Sequence, residues 1–176
     1  FGFLFAPQYH PSFKNIAPIR KKLAAQGTVT FFNLLGPMIN PASPAYQLLG
    51  VYRPDYLERM GKALKKNHLE SAVVVHGVIQ GKEINGVDEL TACGDNKAFG
   101  FGEVETQGVE NWKLDKWGCE KHPFEHLYGG DLKENLKIMD AVLRRECTSG
   151  LLASIKINAA TAFKICGKVK SFGEGM

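Results

Sequence analysis

Apolar residues along this chain recur in two patterns, one typical of helices and one typical of buried strands. Helical spacing, with a proline or capping residue near the start, predicts helices over 11–26, from Pro54 onward, over 131–147 and over 151–167. Apolar, β-branched or aromatic runs have the composition of strands at "TVTFFNLL", "YQLLGVY", "SAVVVHGV" and 97–105. Because "SAVVVHGV" is continuously apolar, we expect it to be covered on both faces of a sheet.

Each predicted helix has an apolar stripe that we expect to face the core. In the first helix the stripe contains Phe13, Ile16, Ala17, Ile19, Arg20 and Leu23, and in the second it contains Leu57, Met60 and Leu64. In the third it contains Leu132, Leu136, Met139 and Leu143, after a predicted N-cap at Asp131. In the fourth it contains Leu151, Ile155, Ala159, Ala162, Phe163 and Cys166.

Strands that alternate with helices predict an α/β fold with a mainly parallel sheet flanked by helices. With 176 residues, 44% hydrophobic and 23% charged, the chain is long and apolar enough for one core. It has no internal repeat, low-complexity segment or linker, so we expect a single α/β domain over 1–176. Its apolar runs are too short to span a bilayer, which argues against a membrane protein.

Charge and cysteine content narrow the class of partner. The net charge is +4, and the basic pairs are scattered along the chain. This suits an anionic small molecule better than nucleic acid, which needs a concentrated basic surface. Cys93, Cys119, Cys147 and Cys166 are too far apart for a zinc knuckle or a redox pair. We therefore expect reduced, partly buried thiols and a cytoplasmic protein.

Asp88 and Glu89 stand side by side in "NGVDELT", shortly after the strand "SAVVVHGV". Ligands of open α/β sheets gather beyond the carboxyl ends of strands, so we expect this pair at the ligand-binding edge. Mg²⁺ suits such a pair, because it takes few carboxylates and fills its other positions with water and phosphate oxygens. Acidic pairs are more commonly the start of a helix, where they complement its dipole. From these residues alone both interpretations stand.

Arg20 lies among apolar residues of the first predicted helix. A guanidinium that faces an interior needs an anionic partner, and a planar carboxylate matches its geometry. The alternatives are an arginine whose charge reaches solvent or one that pairs with a carboxylate of the protein. His10 on its own indicates a capping or packing residue. The Gly36-Pro37 step predicts a rigid loop that either lines a site or forms a structural turn.

Seven stretches, in this order, resemble the anthranilate phosphoribosyltransferase family over nearly the whole chain. They are "FLFAPQYHPSFKNIAPIRKKL", "FFNLLGPMINPA", "YQLLGVY", "VVVHG", "GVDELT", "LYGGDLKENLKIMDAVL" and "INAATAFKICGK". The resemblance implies the large α/β domain of that fold, which pyrimidine nucleoside phosphorylases share more distantly.

The resemblance also implies roles for individual residues. Asp88 and Glu89 match the acidic pair that binds Mg²⁺ together with phosphoribosyl pyrophosphate. Arg20 matches the arginine that contacts the carboxylate of anthranilate, and Phe13 stands where members often have tyrosine. The positions that match the acceptor pocket and its approach are Arg20, His10, Phe13, Pro7, Gly36 and Pro37.

The implied reaction transfers a phosphoribosyl group to the amine of anthranilate and releases pyrophosphate, a step of tryptophan biosynthesis. The amine is itself a competent nucleophile, so we expect no catalytic nucleophile in the protein. Catalysis would then depend on the alignment of the two substrates and on Mg²⁺ beside the departing pyrophosphate.

Several parts of the family pattern have no match in this sequence. They are a small N-terminal helical domain, a glycine-rich phosphate loop of the pattern G-T-G-G-D, and a Lys-His-Gly-Asn-Arg segment. We therefore expect the chain to correspond to a C-terminal part of the fold, incomplete at both ends, and to be inactive or nearly so alone. Dimers of the family pair mainly through the helical domain, so a homodimer is expected only of a full-length protein. The segments "KKLAAQGTVT" and "GVIQGKEINGV" are longer than usual.

Two other functions stay open. Some relatives bind nucleic acid through a basic surface, although retention of Arg20 and of the Asp88-Glu89 pair favours the enzyme. A pyrimidine nucleoside phosphorylase would share the fold, but Arg20 and the "NLLGPMINP" loop favour an aromatic carboxylate as the acceptor.

Overall fold

The structure, a computed structural model, describes residues 2, 4–28, 30–79, 81 and 86–176, without the side chain of Asn33. The chain divides into two units, residues 1–43 and 44–176, and each is described by itself. Positions 80 and 82–85 of the long run "GVIQGKEINGV", which precedes Asp88, lie outside the described residues.

The first unit is built from short helices around one longer helix. These are α1 (Ala6–Tyr9), α2 (Ser12–Ala25), α3 (Phe32–Leu35) and a 3₁₀ helix (Gly36–Ile39). Helix α2 confirms the prediction for 11–26, and the left-handed φ of 69° at Gly27 follows its end. Its half-buried face contains Phe13, Ile16, Arg20 and Leu23, whereas the predicted stripe members Ala17 and Ile19 are exposed.

The strand signal at "TVTFFNLL" is wrong, because its second half forms α3. A strand must find partners for its backbone groups on a neighbouring strand, and the described strands all lie in the second unit. Here the amide of Leu34 instead donates to the carbonyl of Phe31 at 2.9 Å. The aromatic content of the run reflects packing of side chains, with the rings of Phe31 and Phe32 4.1 Å apart.

The second unit contains a sheet with a central, buried strand. Its strands are β1 (Tyr46–Gly50), β2 (Ser71–Val78), β3 (Gly86–Val87), β4 (Asp95–Phe101) and β5 (Glu110–Trp112). The order is β1-β2-β4-β5, and β3 also pairs with β2. Strand β2 is "SAVVVHGV", as predicted, and it is buried along all but its last residue. The short strand β5 was not predicted.

The sheet is mixed. Strands β1 and β2 are parallel, while β2 with β3, β2 with β4 and β4 with β5 are antiparallel. A helix over 57–66 connects β1 to β2 and returns the chain to the same end of the sheet, as parallel pairing requires. The described residues between β2 and β4 contain no helix, so β4 runs back beside β2. The predicted α/β architecture is confirmed, with antiparallel pairs where more parallel ones were expected.

Helices cover the sheet on both faces. The remaining helices are α4 (Leu57–Lys66), α5 (Leu132–Arg144), α6 (Ser149–Ile165) and α7 (Phe172–Gly175), with 3₁₀ helices at Pro54–Tyr56, Leu114–Trp117 and Phe124–Leu127. Helix α4 packs on β2 and β4, and α6 packs on β1 and β2. Side chains of a strand alternate between faces. Val73 and Val75 join Ile157 and Ile165 of α6 in the main core, and the intervening Val74 faces α4.

In the second unit, two of the predicted helix faces differ in the structure. On α5 the stripe Leu132, Leu136, Met139 and Leu143 is exposed, and the half-buried residues are Ile138, Ala141 and Val142. On α6 the buried residues are Gly150, Ser154, Ile157, Ala160, Thr161 and Ile165, whereas Ile155 and Phe163 are exposed. The face of α4 is as predicted, with Leu57, Met60 and Leu64 buried. Asp131 caps α5 by accepting from the Glu134 amide at 2.8 Å.

All four cysteines are free thiols, with Cys93 and Cys119 buried. Burial raises the pKa of both buried thiols. Within the described ranges, every helix is too short or too polar to cross a membrane.

Gly61 of α4 lies directly against the Phe99 ring of β4, and this contact gives a test of the fold. A methyl group at Gly61 would overlap the Phe99 ring, so Gly61→Ala should destabilise the protein by about 1–3 kcal/mol although alanine favours helix. Gly173→Ala on α7 is the control, because its methyl would meet the Trp117 carbonyl at 3.8 Å, an ordinary contact. Urea unfolding measures both; equal stability of the two variants would contradict the packing described.

Candidate functional site

The acidic pair lies at the carboxyl edge of the parallel strands, where the sequence predicts it. Asp88 and Glu89 follow β3, which pairs with the last two residues of β2. The backbone of Asp88 lies against Gly50, the last residue of β1, so closely that a methyl group on Gly50 would overlap the Asp88 carbonyl. The carbonyl oxygen of Glu89 would lie 2.7 Å from a methyl group on Gly77. Both positions therefore require glycine.

No helix begins at Asp88 and Glu89, so the interpretation of the pair as an acidic helix start is wrong. Both residues are exposed, while the following Leu90 is completely buried. The surrounding protein removes part of the hydration of the Glu89 carboxyl, and Asp88 adds a second negative charge beside it. Together, in that order of importance, these two effects raise the pKa of Glu89 above its usual 4.5. A cation at this position would relieve the repulsion within the pair.

His76 ties the end of β1 to β2 next to the acidic segment. Its Nδ1 lies 2.8 Å from the carbonyl oxygen of Val51, and its ring is buried. Because a carbonyl oxygen only accepts, Nδ1 carries the proton in this bond. A methyl group on Gly86 would overlap the His76 ring, so β3 approaches it closely. The strands that hold the pair are thus fixed by a buried hydrogen bond in addition to the sheet.

Sequence reasoning missed the residues that hold the segment after the pair. The side chains of Asn96, Ser154 and Asn158 bond the backbone of residues 90–92. Two of them lie four residues apart on α6, and polar residues at that spacing in an otherwise apolar helix are the signal that could have indicated them.

The acidic pair provides some, but not all, of the ligands that Mg²⁺ needs. Among the residues that the structure describes, no group of three or more histidine, cysteine, aspartate or glutamate side chains could hold a metal ion. Asp88 and Glu89 supply two carboxylate side chains, which is the number that Mg²⁺ commonly takes from a protein when phosphate oxygens and water complete its shell. The pair therefore suits a cation that arrives with a phosphorylated ligand.

In the first unit, Arg20 lines a small cavity. The cavity has a volume of about 310 Å³, and its lining residues are Ala17, Arg20, Lys21, Ala24, Thr28 and Thr30. Arg20 is half-buried, and no carboxylate pairs with it among the described residues. With two cations and two threonines on its wall, the cavity suits a small anion, and a planar carboxylate matches the guanidinium.

The other residues predicted for the acceptor pocket lie elsewhere on the first unit. The rings of His10 and Phe13 are 5.7 Å apart, and Phe13 meets Phe32 edge to face at 6.2 Å. Pro7 lies in α1 and is exposed, while Gly36 and Pro37 begin the 3₁₀ helix Gly36–Ile39. Of the six predicted residues, only Arg20 lines the cavity. Their roles in binding an acceptor stay predictions.

Comparison with known proteins places this architecture in a family. Residues 1–176 match the glycosyl transferase family, a/b domain. The chain belongs to this family. The matched region covers both units, so the family assignment applies to the helices of the first unit as well as to the sheet.

Individual members of the glycosyl transferase family are similar along nearly the whole chain. The anthranilate phosphoribosyltransferase of Synechocystis sp. is 40% identical over 163 residues, which are 93% of this chain and 44% of that protein. That of Tolumonas auensis is 36% identical over 175 residues. The crystal structure of anthranilate phosphoribosyltransferase from Thermus thermophilus superposes with a TM-score of 0.83 at 35% identity, covering 99% of this chain and 48% of that one. The chain thus spans about half the length of these relatives.

The raised pKa of Glu89 predicts how stability depends on pH. Between the usual pKa of 4.5 and the higher pKa in the folded state, the folded protein binds more protons than the unfolded one. The free energy of unfolding therefore falls as the pH rises through this window, and stays lowered above it.

Glu89→Gln should remove this contribution. The free energy of unfolding at pH 7, taken relative to its value at pH 4, should therefore be higher in the variant than in the parent protein. Glu105→Gln, at an exposed position outside the site, is the control. Urea unfolding at several pH values measures the difference, and an unchanged pH dependence in the Glu89 variant would contradict the electrostatics described.

Proposed function

We propose that this chain is the α/β part of an anthranilate phosphoribosyltransferase, which transfers the phosphoribosyl group of phosphoribosyl pyrophosphate to anthranilate. The observation that carries the proposal is the pair Asp88 and Glu89, held by glycine contacts at the carboxyl edge of the sheet. It is supported by the 40% identity to the Synechocystis enzyme of that name. The four free thiols agree with a cytoplasmic protein.

The carboxylates of Asp88 and Glu89 would hold Mg²⁺ together with the diphosphate of the donor. When bound, Mg²⁺ neutralises negative charge on the pyrophosphate that leaves. The yeast anthranilate phosphoribosyltransferase, 19% identical with a TM-score of 0.71, has been solved in complex with PRPP and Mg, although at that identity the likeness shows the fold alone. The support for the cation here is the donor set of this chain.

Arg20 would hold the acceptor. The carboxylate of anthranilate is planar and anionic, and the guanidinium of Arg20 lines a cavity with Lys21 beside it. Binding through the carboxylate leaves the aromatic amine free to attack. Since the amine is a nucleophile, the protein needs to supply only position and charge, which are the two properties that Arg20 and the acidic pair offer.

The acidic pair gives a direct test through Mn²⁺, a paramagnetic substitute for Mg²⁺ that the same ligands accept. Asp88→Asn and Glu89→Gln should each weaken Mn²⁺ binding by about 10-fold or more, because each removes one charged ligand. Phosphoribosyl pyrophosphate should strengthen Mn²⁺ binding to the parent chain, since it supplies the missing oxygens. Electron paramagnetic resonance of free Mn²⁺ gives the affinities.

Asp115→Asn is the control for the Mn²⁺ titration, because Asp115 is an exposed acid in the 3₁₀ helix Leu114–Trp117. If the Asp88 variant binds Mn²⁺ like the parent chain, with and without phosphoribosyl pyrophosphate, the proposed metal role is wrong. Rapid turnover of anthranilate by the isolated chain would contradict only the separate expectation that it is inactive alone.

Arg20→Met should weaken anthranilate binding by about 10-fold to 100-fold, because a hydrogen-bonded charge pair contributes about 1.5–3 kcal/mol. The fluorescence of anthranilate reports its binding to the chain directly. Lys14→Met, which removes an exposed cation from the same helix, is the matched control. Stabilisation of the parent chain by thymidine but not by anthranilate in a thermal shift assay would overturn the proposal in favour of a nucleoside phosphorylase.

A further inference from the structure

Residues 90–93 form an irregular segment whose backbone is bonded almost entirely by side chains. The amide of Thr91 donates to Oδ1 of Asn96 at 2.8 Å, and its carbonyl accepts from Nδ2 of Asn96 at 2.9 Å. The amide of Ala92 donates to Oγ of Ser154 at 3.0 Å, and the amide of Cys93 donates to Oγ1 of Thr91 at 3.0 Å. These side chains therefore satisfy buried amides and carbonyls that a helix or a strand would otherwise pair.

Asn158 of α6 makes the bonds that lie nearest to the acidic pair. Its Oδ1 accepts from the amide of Leu90 at 3.2 Å, and its Nδ2 donates to the carbonyl of Leu90 at 2.7 Å. Nδ2 also donates to the carbonyl of Ser154 at 2.8 Å, one turn earlier on the helix. Because backbone amides only donate and carbonyls only accept, these three bonds allow a single orientation of the carboxamide.

These bonds fix the chain directly after Glu89. The Leu90 side chain is completely buried in the main core, so the residue cannot move without opening a cavity there. On the other side, the backbone of Asp88 is pressed against Gly50 and the carbonyl of Glu89 against Gly77. The two carboxylates therefore extend from a backbone that is held by strands before them and by α6 after them.

We infer that Asn158 is the positioning residue of the Asp88-Glu89 pair, setting the spacing and direction of the two carboxylates through both backbone groups of Leu90. The inference builds on the proposed function, in which the pair holds a divalent cation. Asn158 acts through Leu90 and contacts neither a substrate nor the cation. Without it, the amide and carbonyl of a buried residue would lose their partners, and the segment would have to move toward water to recover them.

Thr161 offers a matched control on the same helix. Its side chain is completely buried, but its hydroxyl donates at 2.7 Å to the carbonyl of Ile157, within α6 itself. Asn158→Leu and Thr161→Val each replace a polar side chain by an apolar one of similar size. Asn158→Leu should weaken Mn²⁺ binding to the chain by about 10-fold, the lower end of the effect of residues that orient metal ligands. Thr161→Val should leave the Mn²⁺ affinity unchanged even if it lowers the melting temperature.

A second measurement keeps the inference independent of the metal. In NMR spectra of the metal-free chain, Asn158→Leu should speed hydrogen exchange of the Leu90 amide and shift the backbone resonances of Asp88 and Glu89, because the Leu90 amide and carbonyl lose their partners. Thr161→Val should change neither. Should Asn158→Leu fail to fold, Asn158→Ser takes its place with the same expectations, since a serine side chain is too short to reach both groups of Leu90.

The outcomes separate the inference from the proposed function. Unchanged backbone resonances of Asp88 and Glu89 in the folded Asn158 variant, or equal losses of Mn²⁺ affinity in the Asn158 and Thr161 variants, would overturn the positioning role. If the parent chain binds Mn²⁺ no better than Asp88→Asn while these resonances still shift in the Asn158 variant, the metal role fails and the positioning role stands. A loss of Mn²⁺ affinity and a shift of these resonances that are both confined to the Asn158 variant support both roles.

Discussion

The close contact between the backbones of Asp88 and Gly50 is the constraint on which the candidate site depends. A strand that ends in any other residue would push the acidic segment away from the sheet, because even a methyl group overlaps the Asp88 carbonyl. The parallel register that places Gly50 beside Val75 brings the end of β1 to this position. The hydrogen bond between His76 and Val51 then holds the chain as it leaves the strand. The location of two surface carboxylates is thus a consequence of how two neighbouring strands end.

The segment that follows the acidic pair needs hydrogen-bond partners, and this need explains the composition of α6. Helices that pack on a sheet usually bury an apolar stripe, and the sequence pattern of α6 predicts one through Ile155 and Phe163. In the structure these two side chains are exposed, and the helix turns Ser154 and Thr161 inward with Ile157. Ser154 and Asn158 lie inward or at the edge because an irregular backbone segment needs partners for its amides and carbonyls. Tertiary hydrogen bonding, rather than hydrophobicity alone, sets the rotation of this helix.

The contrast between α6 and β2 shows how much of the structure could be predicted from sequence. Strand β2 is continuously apolar, and its bounds, its burial and the ligand-binding edge beyond it follow from that pattern. The location of the acidic pair could therefore be predicted. Gly50 and Asn158 could not be assigned, because close approach to Asp88 and bonding to Leu90 are contacts across 38 and 68 positions of the chain. No local periodicity encodes such contacts. The strand prediction for the segment that forms α3 is wrong for a related reason, since strand composition predicts a strand only where a partner strand exists.

The small number of carboxylates in the acidic pair bears on how the pair would bind a cation. Within the part of the chain that the structure describes, Asp88 and Glu89 have no third acidic, histidine or cysteine ligand beside them, so they supply fewer ligands than a divalent cation needs. A cation held by only two protein carboxylates binds weakly until a phosphorylated ligand completes its shell, so cation and ligand strengthen each other's binding by the same factor. For binding the cation together with a phosphorylated ligand, rigid support of the pair then matters more than additional negative charge. A third acidic side chain would raise affinity for the free cation, whereas two carboxylates in a fixed geometry leave positions for the oxygens of a phosphorylated ligand. The hydrogen bonds to residues 90–92 provide that rigidity without adding charge to the site.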